Sequence, residues 1–175
     1  MSIHLFNSRA AARELARADL SPERQAQYLL VGLLIYLVAS YSGLMIATAP
    51  LWSMASLLEA AALVLVNVLG VTQVLDAAGG PRSRRFLQDF TCLYVPVSVT
   101  SLLVIWSAYW VIRIGFVEGL LALSTSGSRF ALNLAAIGTD FLGLLGFLCS
   151  VGTQVLVYYR LVRLQRLVES LRQAH

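Results

Sequence analysis

Three ionisable residues interrupt the apolar runs of this sequence: Glu59, Arg113 and Asp140. Charges inside membrane segments are costly; they face the bundle interior or a polar cavity and tend to pair. Glu59 falls about seven residues into its run, which is ~10 Å along a helix. Asp140 lies a similar distance into another run, and Arg113 stands near the end of the run between them. If the chain alternates direction from run to run, the three share a depth. They form a candidate intramembrane ion cluster of two acids and one base. Such a cluster has two readings. It is a buried pair that fixes helix packing, or it is a proton or cation site with one carboxylate left over.

Other reactive chemistry has little to build on. The two histidines, His4 and His175, stand at the extremities, so no bis-histidine haem or zinc site can be assembled within the apolar runs. Cys92 and Cys149 both lie in apolar runs, and neither belongs to a CxxC, so buried inert thiols are expected. GGPRSRR lacks the spacing of a phosphate-binding loop. The serines of STSGSR have no histidine nearby to act as a base. No catalytic residue, cofactor or metal is expected.

The elements that must position the charged residues follow from composition. The chain has 175 residues, 58% of them hydrophobic and 13% charged. Soluble domains carry about 25% charged residues. A bilayer removes the need for the missing polar surface. A spanning helix takes about 20 apolar residues, and four runs meet that length: 28–48, 52–75, 90–116 and 132–161. Each must be helical, because lipid leaves an open backbone unsatisfied. The expected fold is therefore an all-α integral membrane protein with four transmembrane helices in a domain spanning 28–161. An amphipathic N-terminal segment, 1–27, precedes it, and a helical tail, 162–175, follows. The first run begins too far into the chain, after too many charges, to read as a cleaved signal peptide. The two halves do not align as a repeat, so a duplicated transporter is not indicated.

All 13 basic residues are arginine, as codon bias in a GC-rich bacterial genome would give, and their placement sets the orientation. Arginine collects on the cytoplasmic side. Arg9, Arg13, Arg17 and Arg24 precede the first run, and Arg82, Arg84 and Arg85 occupy the turn 76–89. Arg160, Arg163, Arg166 and Arg172 lie at the end of the last run and in the tail. The connector APLWS is uncharged, and the outer connector 117–131 has only Glu118 and Arg129. Both termini are thus expected in the cytoplasm of a bacterial inner membrane, with Arg82, Arg84 and Arg85 as topology anchors. The net charge of +4 reflects orientation rather than nucleic acid as a partner. Gly79, Gly80 and Pro81 suit a tight turn, and Pro96 is expected to kink the third span.

The runs also carry packing signals. Gly32, Ser40 and Gly43 in the first, Asn67 and Gly70 in the second, and Gly143, Gly146 and Ser150 in the fourth form small or polar faces that let helices approach closely. Trp106, Tyr109 and Trp110 suggest an aromatic belt at the outer interface. In the tail, Leu161, Leu164, Val168 and Leu171 follow heptad spacing. That seam needs cover, from the N-terminal helix or from another subunit, while Arg172 is expected to be exposed. Little mass lies outside the membrane. The leading expectation is a non-enzymatic subunit of a larger membrane assembly, such as secretion or transfer machinery or a transport complex. Its partners would be membrane lipid and other integral subunits or copies of itself. The alternative is a small oligomeric transporter or ion channel using Glu59 and Asp140.

Overall fold

The computed structural model describes residues 7–17, 23–34, 54–80, 83, 85–124 and 129–174. Among them there is no strand, and the chain is a set of helices: α1 Ser8–Arg17, α2 over 23–34, α3 Met54–Ala77, α4 Phe86–Ser124 and α5 Arg129–Gln173. Three stretches are long and apolar enough to cross a membrane: Ser56–Ala77, Phe86–Gly119 and Phe141–Gln173. The expected first span, 28–48, is helical over 28–34, and the rest of it, with Ser40 and Gly43, lies outside the described residues. Arg82 and Arg84 lie outside them as well, whereas Arg85 is exposed at the start of α4.

Local chemistry explains the helix ends. The Asn7 side chain accepts a hydrogen bond from the Ala10 N–H at 3.0 Å, capping α1. Gly79 and Gly80 take φ of 92° and 75°, left-handed values that glycine adopts without strain, and these stop α3. The connector expected at 117–131 is shorter than the sequence suggests. α4 runs on to Ser124 and α5 starts at Arg129. Leu120–Ser124 are good enough helix formers to continue the preceding span, and the polar STSG marks the break. α4 also passes through Pro96, which is buried, without interruption.

α5 is the shared packing partner of α1, α3 and α4. With α3 the contact is close because Gly70 has no side chain. The Tyr158 ring occupies the space its Cβ would need, and the Tyr158 hydroxyl donates to Asn67 Oδ1 at 2.7 Å. α4 meets α5 where Tyr109 lies over Gly146, and α2 meets α4 where Gly32 faces Val95. Gly32, Gly70 and Gly146 are therefore spent on contacts within the chain. No atom of the described residues lies within 4 Å of where a Cβ on Gly143 would be.

Burial is uneven along the bundle. The core collects at the end where α1, the start of α4 and the end of α5 converge, around Leu15, Cys92, Leu93, Leu161 and Val168. Toward the opposite end the helices expose apolar surface: Leu58 and Val64 on α3, Val104 and Val111 on α4, Leu144 and Leu148 on α5. α4 and α5 have 39 and 45 residues, ~58 and ~68 Å at 1.5 Å per residue, against a hydrocarbon core of about 30 Å. Both must project beyond the hydrocarbon.

Gly70→Ala forces the Tyr158 ring aside and strains its bond to Asn67. It is expected to cost about 1–3 kcal/mol, the range for overpacking, seen as a lower unfolding temperature in detergent. Gly143→Ala should not lower that temperature.

Candidate functional site

The strongest polar constellation lies in the convergent core, on residues the sequence pattern does not advertise. Asp89, in the first turn of α4, is fully buried. Its carboxylate accepts two hydrogen bonds from Arg172 on α5, Nη1 to Oδ2 at 2.7 Å and Nη2 to Oδ1 at 2.9 Å. Gln165 Nε2 approaches the same Oδ2 at 3.4 Å. Arg172 also donates to the Leu15 carbonyl of α1 at 3.3 Å and to Glu169 at 3.3 Å. One guanidinium thus ties three helices. A planar fork matched to a carboxylate is the geometry in which arginine pairs best. A second ion pair, Arg24 with Glu14, links α2 to α1.

Arg172 is therefore not the exposed residue its position in the tail suggests; its side chain is 20% exposed. The seam Leu161, Leu164, Val168 and Leu171 is likewise covered from within the chain. Leu161, Leu164 and Val168 are buried in the core shared with Ala11, Ala12 and Leu15, and Leu171 is half-buried. α1 keeps Arg9 and Arg13 exposed and turns its apolar face onto this seam. One signal for the cluster was present. Gln165 and Arg172 stand at heptad-like spacing with Leu161 and Val168, so they share the buried face.

The register places this cluster beyond α3. Gly70 is level with Tyr158; Arg172 lies fourteen residues past Tyr158, and Ala77 seven past Gly70. At 1.5 Å per residue Arg172 sits on the order of 10 Å past the end of α3.

The residues of the expected ion cluster fare differently. Glu59 is half-buried on α3 and makes no ion pair among the described residues. Arg113 reaches back along its own helix, with Nη1 3.4 Å from the Tyr109 hydroxyl and the guanidinium carbon 5.1 Å from the centre of the Trp110 ring. This satisfies the cation with an aromatic face in place of a carboxylate. Trp106, Tyr109 and Trp110 form one edge-to-face group. Asp140 lies on α5, with its side chain outside the described residues. The meeting of Glu59, Asp140 and Arg113 is thus not part of what the structure describes. Among the described residues no group of three or more His, Cys, Asp or Glu side chains could hold a metal ion.

A third polar contact lies between the two ends. Arg160 Nη1 donates to Thr100 Oγ1 at 2.9 Å and to Ser101 Oγ at 3.2 Å, joining α5 to α4. Ser98, Gln154 and Gln165 each bury one side-chain oxygen without a partner.

Helical throughout its described residues, with three apolar stretches of spanning length, the chain is a membrane-embedded helical protein. No family model, curated protein or solved structure shows significant similarity to it.

The Asp89 side chain is fully buried, so removing Arg172 strips it of its counter-charge. Arg172→Met should therefore destabilise the protein by about 3 kcal/mol, the lower end of the cost of breaking a buried pair, because Arg172 is partly exposed. Adding Asp89→Leu should recover most of the loss. Thermal unfolding of both variants in detergent checks the pair, and an Arg172→Met protein as stable as wild type would show the contact to be idle.

Proposed function

We propose that the protein is a non-enzymatic integral subunit of a larger multi-protein assembly in a bacterial inner membrane, with both termini in the cytoplasm. The observation that carries this reading is the outward face of α5. Phe141, Leu144, Leu148, Val155 and Tyr159 are exposed at helical spacing, and Gly152 stands in the middle of that stripe with no atom of the described residues within 4 Å of where its Cβ would be. A glycine set among large apolar residues gives a neighbouring helix a place to approach closely. In lipid such packing, rather than water exclusion, drives helix association. α3 adds to the same reading, since it exposes Leu57, Leu58, Val64 and Leu65. The arginine distribution supports the orientation, because Arg9, Arg13, Arg85, Arg163 and Arg166 are all exposed at the convergent end. The internal cover of the tail seam moves the partner surface from the tail to the membrane faces of α5 and α3.

A transport function is the second reading. It is favoured by Glu59, a half-buried carboxylate on a spanning helix without an ion pair among the described residues. In that case Glu59→Gln abolishes ion or proton flux in proteoliposomes, and Gly152→Val leaves flux per assembled oligomer intact.

The subunit reading predicts that purification in mild detergent brings down stoichiometric partner chains or a homo-oligomer. Gly152→Val should release them while leaving helicity and monomer stability unchanged, because the monomer has room for the new side chain. A lone monodisperse wild-type chain would count against this reading.

A further inference from the structure

Two helices of the bundle change from apolar to polar surface at one level. On α3 the exposed residues pass from Val68 and Leu69 to Thr72, Gln73 and Asp76. On α5 they pass from Val155 and Tyr159 to Arg163 and Arg166. Since Gly70 is level with Tyr158, both changes fall at the same height, as expected where lipid headgroups meet the hydrocarbon. Arg160 sits at this boundary. It is half-buried against α4, and its partners are neutral, the hydroxyls of Thr100 and Ser101. Both are engaged through Nη1, and Nε and Nη2, the edge that can grip an anion bidentately, have no hydrogen-bond partner among the described residues. One turn further on, Arg163 is exposed, with its guanidinium carbon 5.9 Å from the centre of the Tyr159 ring. Neither Arg160 nor Arg163 has a carboxylate within ion-pair distance among the described residues.

A half-buried cation with only neutral partners at the hydrocarbon boundary calls for an external counter-charge. We propose that Arg160 and Arg163, at the α4–α5 seam, form a binding site for the phosphate of an anionic membrane lipid. The phosphodiester lies on that edge of Arg160, with Arg163 as the second cation. The acyl chains run along Leu103 and Val104 of α4, which are exposed and apolar just past Thr100 and Ser101. Arg172 takes no part, because Asp89 already engages it. Arg9 and Arg13 are exposed on α1, which packs at the terminal end of α5.

The full chain in detergent, titrated with phosphatidylglycerol, phosphatidylcholine and inorganic phosphate, tests the site by unfolding temperature and by lipid retained in native mass spectrometry. Phosphatidylglycerol should raise the unfolding temperature and stay bound, and the other two should do neither. The double variant Arg160→Gln with Arg163→Gln should bind phosphatidylglycerol more than about tenfold more weakly, as expected for the loss of two cations near the surface. Arg9→Gln with Arg13→Gln should bind it as wild type does. If the double variant loses helical signal, Arg163→Gln alone, exposed and outside the core, carries the comparison, with a smaller loss expected. Equal response to phosphatidylcholine or to inorganic phosphate, undiminished binding by the Arg160 and Arg163 variants, or an equal loss in the α1 variant would each overturn the proposal.

Discussion

A carboxylate sealed from water must find a cation or lose its charge, and Asp89 is sealed completely. The cation comes from Arg172, eighty-three residues away in the chain. Bringing it there fixes the antiparallel register of α4 and α5 at their convergent end. The same guanidinium takes the Leu15 carbonyl, so α1 is held in the pair's company. Once α1 is docked, its alanine and leucine face closes the seam of Leu161, Leu164 and Val168. The charged pair and the apolar seam thus specify each other. The pair alone would be a weak source of stability; its value lies in admitting one alignment of three helices.

Further along the bundle the constraint changes. Lipid is as apolar as leucine, so helices there gain little by hiding from it. Close approach must be secured by shape and by hydrogen bonds. Gly70 supplies the first by admitting the Tyr158 ring, and Asn67 the second by accepting its hydroxyl proton. Tyr109 over Gly146 is a looser contact between α4 and α5, with the ring hydroxyl 3.5 Å from where a Cβ would stand. α5 supplies one side of both contacts, consistent with its position as the common neighbour. Where no glycine and ring meet, as around Gly152, the outward face of α5 is exposed and uncovered by the other described residues.

Much of the architecture was legible from local pattern. The apolar runs 52–75, 90–116 and 132–161 fall on α3, α4 and α5, α3 being described from Met54, because lipid tolerates no other backbone there. GG at 79–80 marked a turn that the positive φ angles realise. Gly32, Gly70 and Gly146 stood out as small residues at helical spacing, although which neighbour each would meet did not. The Asp89–Arg172 pair was missed for a physical reason. Glu59, Arg113 and Asp140 stood out because they interrupt apolar runs, whereas Asp89 and Arg172 looked ordinary beside connectors and tails rich in charge. Burial of a charge is a property of neighbouring helices, and no local window reports it. Arg113 shows the converse, since its partners, Tyr109 and Trp110, were one turn away on the same helix.

By itself the sequence determined that the chain is helical and apolar enough for a membrane, since both follow from composition and from the hydrogen-bonding needs of each segment. Tertiary structure decided which charges are buried together, which small residues are consumed internally and which faces remain open. Those outcomes depend on the relative rotation and register of helices, and these are set by contacts between residues far apart in the chain.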